Sequence, residues 1–205
     1  SLANAEFTVK FYTEQSDSDP AEAGKKPART WVLKTDASGK MHFTKDYFVS
    51  GDAFYYTSDG KTVCLPLGTV TVQESKAPAG YQLNPTIFVQ KIEAEGNQET
   101  ISVYQSSTAE ESVIRGGVKI QKRDIETGKA KPQGSGTLEG AVFTITTLND
   151  NPVLVDGKSY TKDQVVLTLT TDKSGIAATA KDALPFGHYR EDETTAPSGY
   201  LNSGK

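Results

Sequence analysis

The chain has 205 residues, with 22 Lys and Arg against 26 Asp and Glu for a formal net charge of −4, and 36% of its residues are hydrophobic. No window approaches the ~20 apolar residues of a membrane span, no basic stretch followed by an apolar run opens the chain as a signal peptide would, and no concentrated basic face offers itself to nucleic acid. A single cysteine, Cys64, excludes an intrachain disulfide and a cysteine-ligated metal site, and two histidines, His42 and His188, leave little material for histidine-based catalysis.

Helical periodicity is scarce, whereas alternating apolar and polar residues are frequent, the pattern of half-buried strands. Taken in chain order, strands are predicted at Glu6–Phe11, Gly68–Val72, about 86–93, about 99–105, 117–124, Ala141–Ile145 and Val165–Leu169. Between them lie turn sequences: Asp36-Ala37-Ser38-Gly39, Ser58-Asp59-Gly60, Ala94-Glu95-Gly96-Asn97, Asp156-Gly157 and Asp172-Lys173-Ser174-Gly175. Short strands at this spacing predict an all-β chain built as β-sandwiches.

The chain also repeats itself. Leu2-Ala3-Asn4-Ala5-Glu6-Phe7 matches Leu138-Glu139-Gly140-Ala141-Val142-Phe143, and Thr35-Asp36-Ala37-Ser38-Gly39 matches Thr171-Asp172-Lys173-Ser174-Gly175 at the same offset. Leu65-Pro66-Leu67-Gly68 and Glu74-Ser75-Lys76-Ala77-Pro78-Ala79-Gly80-Tyr81 match Leu184-Pro185-Phe186-Gly187 and Glu193-Thr194-Thr195-Ala196-Pro197-Ser198-Gly199-Tyr200 at a shorter one. The difference places an insertion in copy one, at about residues 40–63, expected as an extra hairpin around Tyr47-Phe48 and Phe54-Tyr55-Tyr56. Two modules follow: 1–105 without an opening strand, a polar linker over 106–116, and 117–205 without closing strands. The framing, and a first residue other than Met, read as a piece cut from a tandem array.

Within the predicted strands, alternation assigns faces. Val118, Ile120 and Lys122 share one face, so Lys122 points inward. Val70, Val72 and Glu74 share another, and so do Tyr189, Glu191 and Glu193. Burial favours the neutral form of an amine, the only form that attacks a carbonyl, and favours the protonated form of a carboxyl, which can polarise an amide and shuttle protons.

An opening strand ending in Lys122-x-Asp124, then Thr127-Gly128-Lys129, Leu138-x-Gly140-Ala141-x-Phe143, Thr171-Asp172-x-x-Gly175, Leu184-Pro185-x-Gly187-x-Tyr189 and Glu193-x-x-Ala196-Pro197-x-Gly199-Tyr200 resembles the CnaB-type, SpaA-like (prealbumin-like) domains of Gram-positive surface adhesins and pilins. The resemblance implies tandem small β-sandwiches that serve as a stalk, many of them closed by a spontaneous isopeptide bond between Lys and Asn or Asp. It implies Lys122 as the amine of copy two and Glu193 as its assisting acid, with the acceptor on a strand beyond Lys205. Copy one has Glu74 as the acid; its lysine strand is expected before Ser1, and Gln105 or Glu111 stands where an Asn is expected. Strand 117–124 completing copy one is the alternative.

The functional expectation is therefore a non-enzymatic spacer, extracellular and anchored to the cell wall in the full-length protein. Its partners are neighbouring modules, and it needs no cofactor, metal, nucleic acid or membrane. The alternative is an adhesin module whose aromatic insertion, Tyr47, Phe48, Phe54, Tyr55 and Tyr56, contacts a host protein or glycan; against it stands the simpler expectation that these rings pack a hairpin.

Overall fold

A computed structural model describes residues 1–93 and 107–202. The expected turn at 94–97, the strand at 99–105 and Gln105 lie outside the described residues. The chain divides into two compact units, Ser1–Ser112 and Val113–Lys205. No helix among the described residues is long and apolar enough to cross a membrane.

Unit 1 contains β1 (Glu6–Tyr12), β2 (Arg29–Lys34), β3 (Phe48–Gly51), β4 (Tyr55–Tyr56), β5 (Val63–Cys64), β6 (Gly68–Lys76) and β7 (Ile87–Ile92). Five of these form an antiparallel sheet in the order β3-β2-β1-β6-β7, and β4 pairs with β5. The alternation of β1 sets the inner face: Phe7, Val9 and Phe11 are buried, and across β6 they meet Glu74, Val72 and Val70. Val9, Phe11, Trp31, Leu33, Phe54 and Val70 form the core, flanked by Met41, Phe43, Tyr47, Tyr55, Val63 and Leu65.

The insertion differs from the single hairpin expected. Its first part, β3, extends the sheet beyond β2, while the hairpin is β4–β5, turning at Ser58-Asp59-Gly60. The physical reason is Trp31, which is fully buried and against which residues of the insertion pack. Phe54 stacks parallel on its ring at 6.0 Å and Phe43 meets it edge-on at 4.9 Å.

Unit 2 contains β8 (Arg115–Gly116), β9 (Lys119–Gln121), β10 (Val142–Thr147), β11 (Val153–Val155), β12 (Lys158–Tyr160), β13 (Val165–Thr170), β14 (Ile176–Ala178), β15 (Leu184–Pro185) and β16 (Tyr189–Thr195). One sheet runs β13-β10-β16; the pairs β9–β14, β8–β15 and β11–β12 complete the unit. Ile145, Val153, Val155, Val166 and Leu184 form its core. β9 pairs with β14 of its own unit, so the alternative in which strand 117–124 completes copy one is not what the chain does here. Within the stretch expected as a linker, the carbonyls of Glu110 and Ser112 accept from Asn84 and Gln82 of unit 1, and Arg115–Gly116 form β8 of unit 2.

The repeated motifs do the same work in both units. Thr35 Oγ1 accepts from the Ala5 N–H at 3.0 Å and donates to the Leu2 carbonyl at 2.7 Å; Thr171 does so with Ala141 and Leu138 at 2.9 and 2.7 Å. Buried backbone groups require such partners. Asp36 and Asp172 each fold a turn through one carboxylate oxygen, Asp36 accepting from the N–H groups of Ser38 and Lys40 and Asp172 from those of Ser174 and Ile176. At Gly68 the chain passes so near the Tyr12 carbonyl that a Cβ would collide with it, which explains the glycine in Leu-Pro-x-Gly.

Candidate isopeptide site

In unit 2 the site grows from two strands. β16 faces β10 with Glu193 opposite Phe143 and Glu191 opposite Ile145, and the register then slips so that Thr195, not Thr194, meets Val142. The same slip follows Glu74 in unit 1, where Phe7 pairs with Glu74 and Glu6 with Lys76. A bulge bends the strand and ends its regular alternation. In both units it comes directly after the glutamate, which is thus the last side chain of the inward row. Sequence alternation found that row but not the bulge; the Glu-x-x-Ala-Pro spacing is its only trace.

Lys122 comes to the glutamate from the end of β9. Its backbone N–H donates to the Gly175 carbonyl at 2.8 Å, continuing the pairing with β14 by one residue. Its Nζ lies 2.9 Å from Glu193 Oε1 and 3.0 Å from Oε2, and 5.8 Å from the centre of the Phe143 ring. The lysine side chain is 22% exposed and the glutamate 8%, so the pair is largely withdrawn from water. Asn202 Nδ2 donates to the Glu193 carbonyl at 2.9 Å. Glu191, on the same face, is exposed, and partial desolvation raises its pKa above the ordinary glutamate value.

Two residues past Lys122, the buried Asp124 ties the opening strand to the Ala-Pro-x-Gly-Tyr turn. It accepts from the Thr127 N–H at 2.8 Å, from Gln133 Nε2 at 2.9 Å and from the Tyr200 hydroxyl at 3.0 Å. These bonds, the Thr127 N–H foremost, hold its carboxyl below the usual range. Sequence reasoning noted Lys-x-Asp and Gly-Tyr as separate motifs; the signal that they meet was their joint presence in copy two, since copy one has Tyr81 without such an aspartate.

Unit 1 brings together two other predicted residues. Glu74 is 3% exposed; its Oε2 accepts from the Asn84 N–H at 2.7 Å, and its Oε1 is buried without a hydrogen-bond partner. Glu111 packs against it, with Oε2 likewise buried and unpartnered. Burial, followed by the hydrogen bond and charge of Glu74, pushes the Glu111 carboxyl up to about 7. Where unit 2 sets an amine against its glutamate, unit 1 sets a second acid.

The aromatic candidates do not form one exposed patch. Phe54 is core, Tyr55 lies under the Arg29 guanidinium at 3.6 Å, and Tyr47 packs on His42 at 5.4 Å. Phe48 and Tyr56 reach solvent. Among the described residues no group of three or more His, Cys, Asp or Glu is placed to hold a metal ion.

Chemically, the Lys122 Nζ and the Glu193 carboxyl form a close, largely desolvated amine–acid pair. Unit 1 has two acids, and among the described residues neither is ion-paired with an amine.

The chain belongs to the SpaA family of prealbumin-like fold domains, which matches residues 1–107 and 116–205. Among solved structures, the Bacillus anthracis TIE protein is similar over 100% of this chain and 27% of its own, at 24% identity and a TM-score of 0.53, a likeness of fold. A streptococcal ancillary pilin matches 98% of this chain and 51% of its own at 23% identity and TM-score 0.32. The pilus adhesin SpaC of Lactobacillus rhamnosus GG matches 98% and 23% at 18% identity and TM-score 0.38. The chain thus spans no more than about half the length of these proteins. Comparison with curated proteins finds no match.

Proposed function

We propose that this chain is a shaft segment of a Gram-positive surface pilin or adhesin, in which unit 2 is closed by an isopeptide bond from Lys122. Membership of the SpaA family and the pilin and adhesin character of the similar structures support the surface role. The observation that carries the cross-link is the Lys122–Glu193 contact, a lysine and a glutamate drawn out of water on the inner face of a sandwich. Lys122 is the amine and Glu193 the acid. The neutral amine attacks the carboxamide carbon of an Asn on a strand laid along the open edge of β16, where β7 lies along β6 in unit 1. One N–C bond forms, the carboxamide C–N bond breaks, and Glu193 relays the proton that lets ammonia leave. Closing first strand to last restricts the unfolded chain as a disulfide does, a stabilisation of about 2–4 kcal/mol.

The test is the intact mass of the denatured full-length protein, with and without Lys122→Ala. A deficit of one ammonia that disappears in the variant supports the assignment; a wild-type mass equal to the sequence overturns it. The competing adhesin reading is tested by Phe48→Ser with Tyr56→Ser, the exposed rings of the insertion. Unchanged attachment of cells displaying the variant supports the shaft; lost attachment with Trp31 fluorescence intact would show that the insertion binds.

A further inference from the structure

The repeat sets up a controlled comparison. Glu193 and Glu74 hold the same place on β16 and β6, opposite Phe143 and Phe7 and directly before the bulge. Lys122 answers Glu193, and Glu111 answers Glu74. Two buried carboxylates in contact repel each other strongly in a low-dielectric surrounding, and each has one buried oxygen lacking a hydrogen-bond partner. One proton placed between them turns repulsion into a hydrogen bond and serves where unit 2 uses an ammonium.

From this arrangement we infer that Glu74 and Glu111 form a proton-binding site that latches residues 107–112 onto unit 1. The latch has three further points of attachment, all within the unit. Asn84 Nδ2 donates to the Glu110 carbonyl at 3.0 Å, the Gln82 N–H donates to the Ser112 carbonyl at 2.7 Å, and Gln90 Nε2 donates to Ser107 Oγ at 3.0 Å. Among the described residues, the charged groups around it are few. β6 contributes Glu74 and Lys76, whose ammonium is taken by Glu6 of β1 at 2.8 Å; the latched segment contributes Glu110 and Glu111. The loop from Ala77 to Thr86 carries no charged residue. A proton is therefore the partner this pair can recruit from solution.

The sign of the pH dependence follows. The latched state holds the Glu111 proton more tightly than a released, solvated glutamate does, so the latch is strongest below the ordinary glutamate range. It weakens as pH rises towards about 7 and levels off above that. Across this window the latched-to-released ratio falls about tenfold per pH unit.

Hydrogen exchange at the Gln82 amide, which donates to the Ser112 carbonyl, reads the latch directly. After correction for intrinsic exchange, wild-type protection is expected to fall between pH 5 and 7, while amides of β1 stay constant. Glu111→Gln, whose amide donates to Glu74 without a titrating proton, is expected to remain protected throughout. Protection in the wild type that does not change with pH, or an unaltered pH dependence in Glu111→Gln, overturns the inference. A carboxyl-carbon NMR titration supplies a second reading: the Glu111 midpoint near 7 should move down in Glu74→Gln, and a midpoint that stays put refutes the pairing.

Discussion

In residues 1–205 by themselves, where Lys122 meets Glu193 as an ion pair and no cross-link is counted, truncating Lys122 to alanine leaves Glu193 buried without its counter-charge, and the cost can be worked from the geometry. At about 3 Å and an effective dielectric of ~20, the attraction is roughly 5 kcal/mol before desolvation is charged against it. Removing one member of a fully buried pair costs ~3–5 kcal/mol. Lys122 is 22% exposed and Glu193 8%, so water reaches the amine and the lower side of that range applies, about 2–3 kcal/mol. Read as hydrogen exchange of the Phe143 and Ile145 amides of β10, this is a loss of about 30- to 150-fold in protection. A control separates charge from packing: Lys122→Met with Glu193→Leu removes both charges and keeps the apolar bulk beside Phe143. It is expected to recover most of the loss, because a buried pair replaced by apolar groups is close to neutral. An alanine variant within 0.5 kcal/mol of wild type, or a double variant as unstable as the single one, would refute the reasoning that Glu193 depends on the ammonium.

Four further outcomes are expected. Phe54→Ala, which empties the stacking position over Trp31, should lower unit 1 stability by about 3–4 kcal/mol, measured as the urea midpoint of Trp31 fluorescence. Tyr200→Phe, which deletes the hydroxyl bonded to Asp124, should cost about 1 kcal/mol in unit 2, visible in exchange of the Thr127 amide. Because the Asp124 carboxyl is held below its ordinary value, its contribution is present above the unfolded aspartate range and is lost as pH falls through the folded one; acid titration of Asp124→Asn should lack that loss. Gly68→Ala, driven against the Tyr12 carbonyl, should cost more than 2 kcal/mol, whereas Gly60→Ala in the open β4–β5 turn should cost about 1 kcal/mol, both measured by Trp31 fluorescence.

Much of the architecture was legible in the chain because it is local. Alternation is a property of a few neighbouring residues, so the inward direction of Lys122, Glu74 and Glu193 followed from Val118-x-Ile120, Val70-x-Val72 and the Tyr189 row. The repeat supplied the module plan, since each shared motif marks a backbone requirement met twice: the Thr35 and Thr171 bridges, the Asp36 and Asp172 turns and the tight passage at Gly68. Which residues of different strands meet was decided only by tertiary structure. Register places Glu193 across from Phe143, and the bulge behind it leaves no trace in the alternation of the strand. The insertion was visible as extra length rich in aromatics, yet its rings were split between core and surface by one buried tryptophan that alternation alone does not locate. Glu111 shows the division most clearly. As a polar residue in a polar stretch it has no local mark of burial, and only the fold, by carrying the chain past the end of β6, sets its carboxyl against that of Glu74 and raises its hold on a proton.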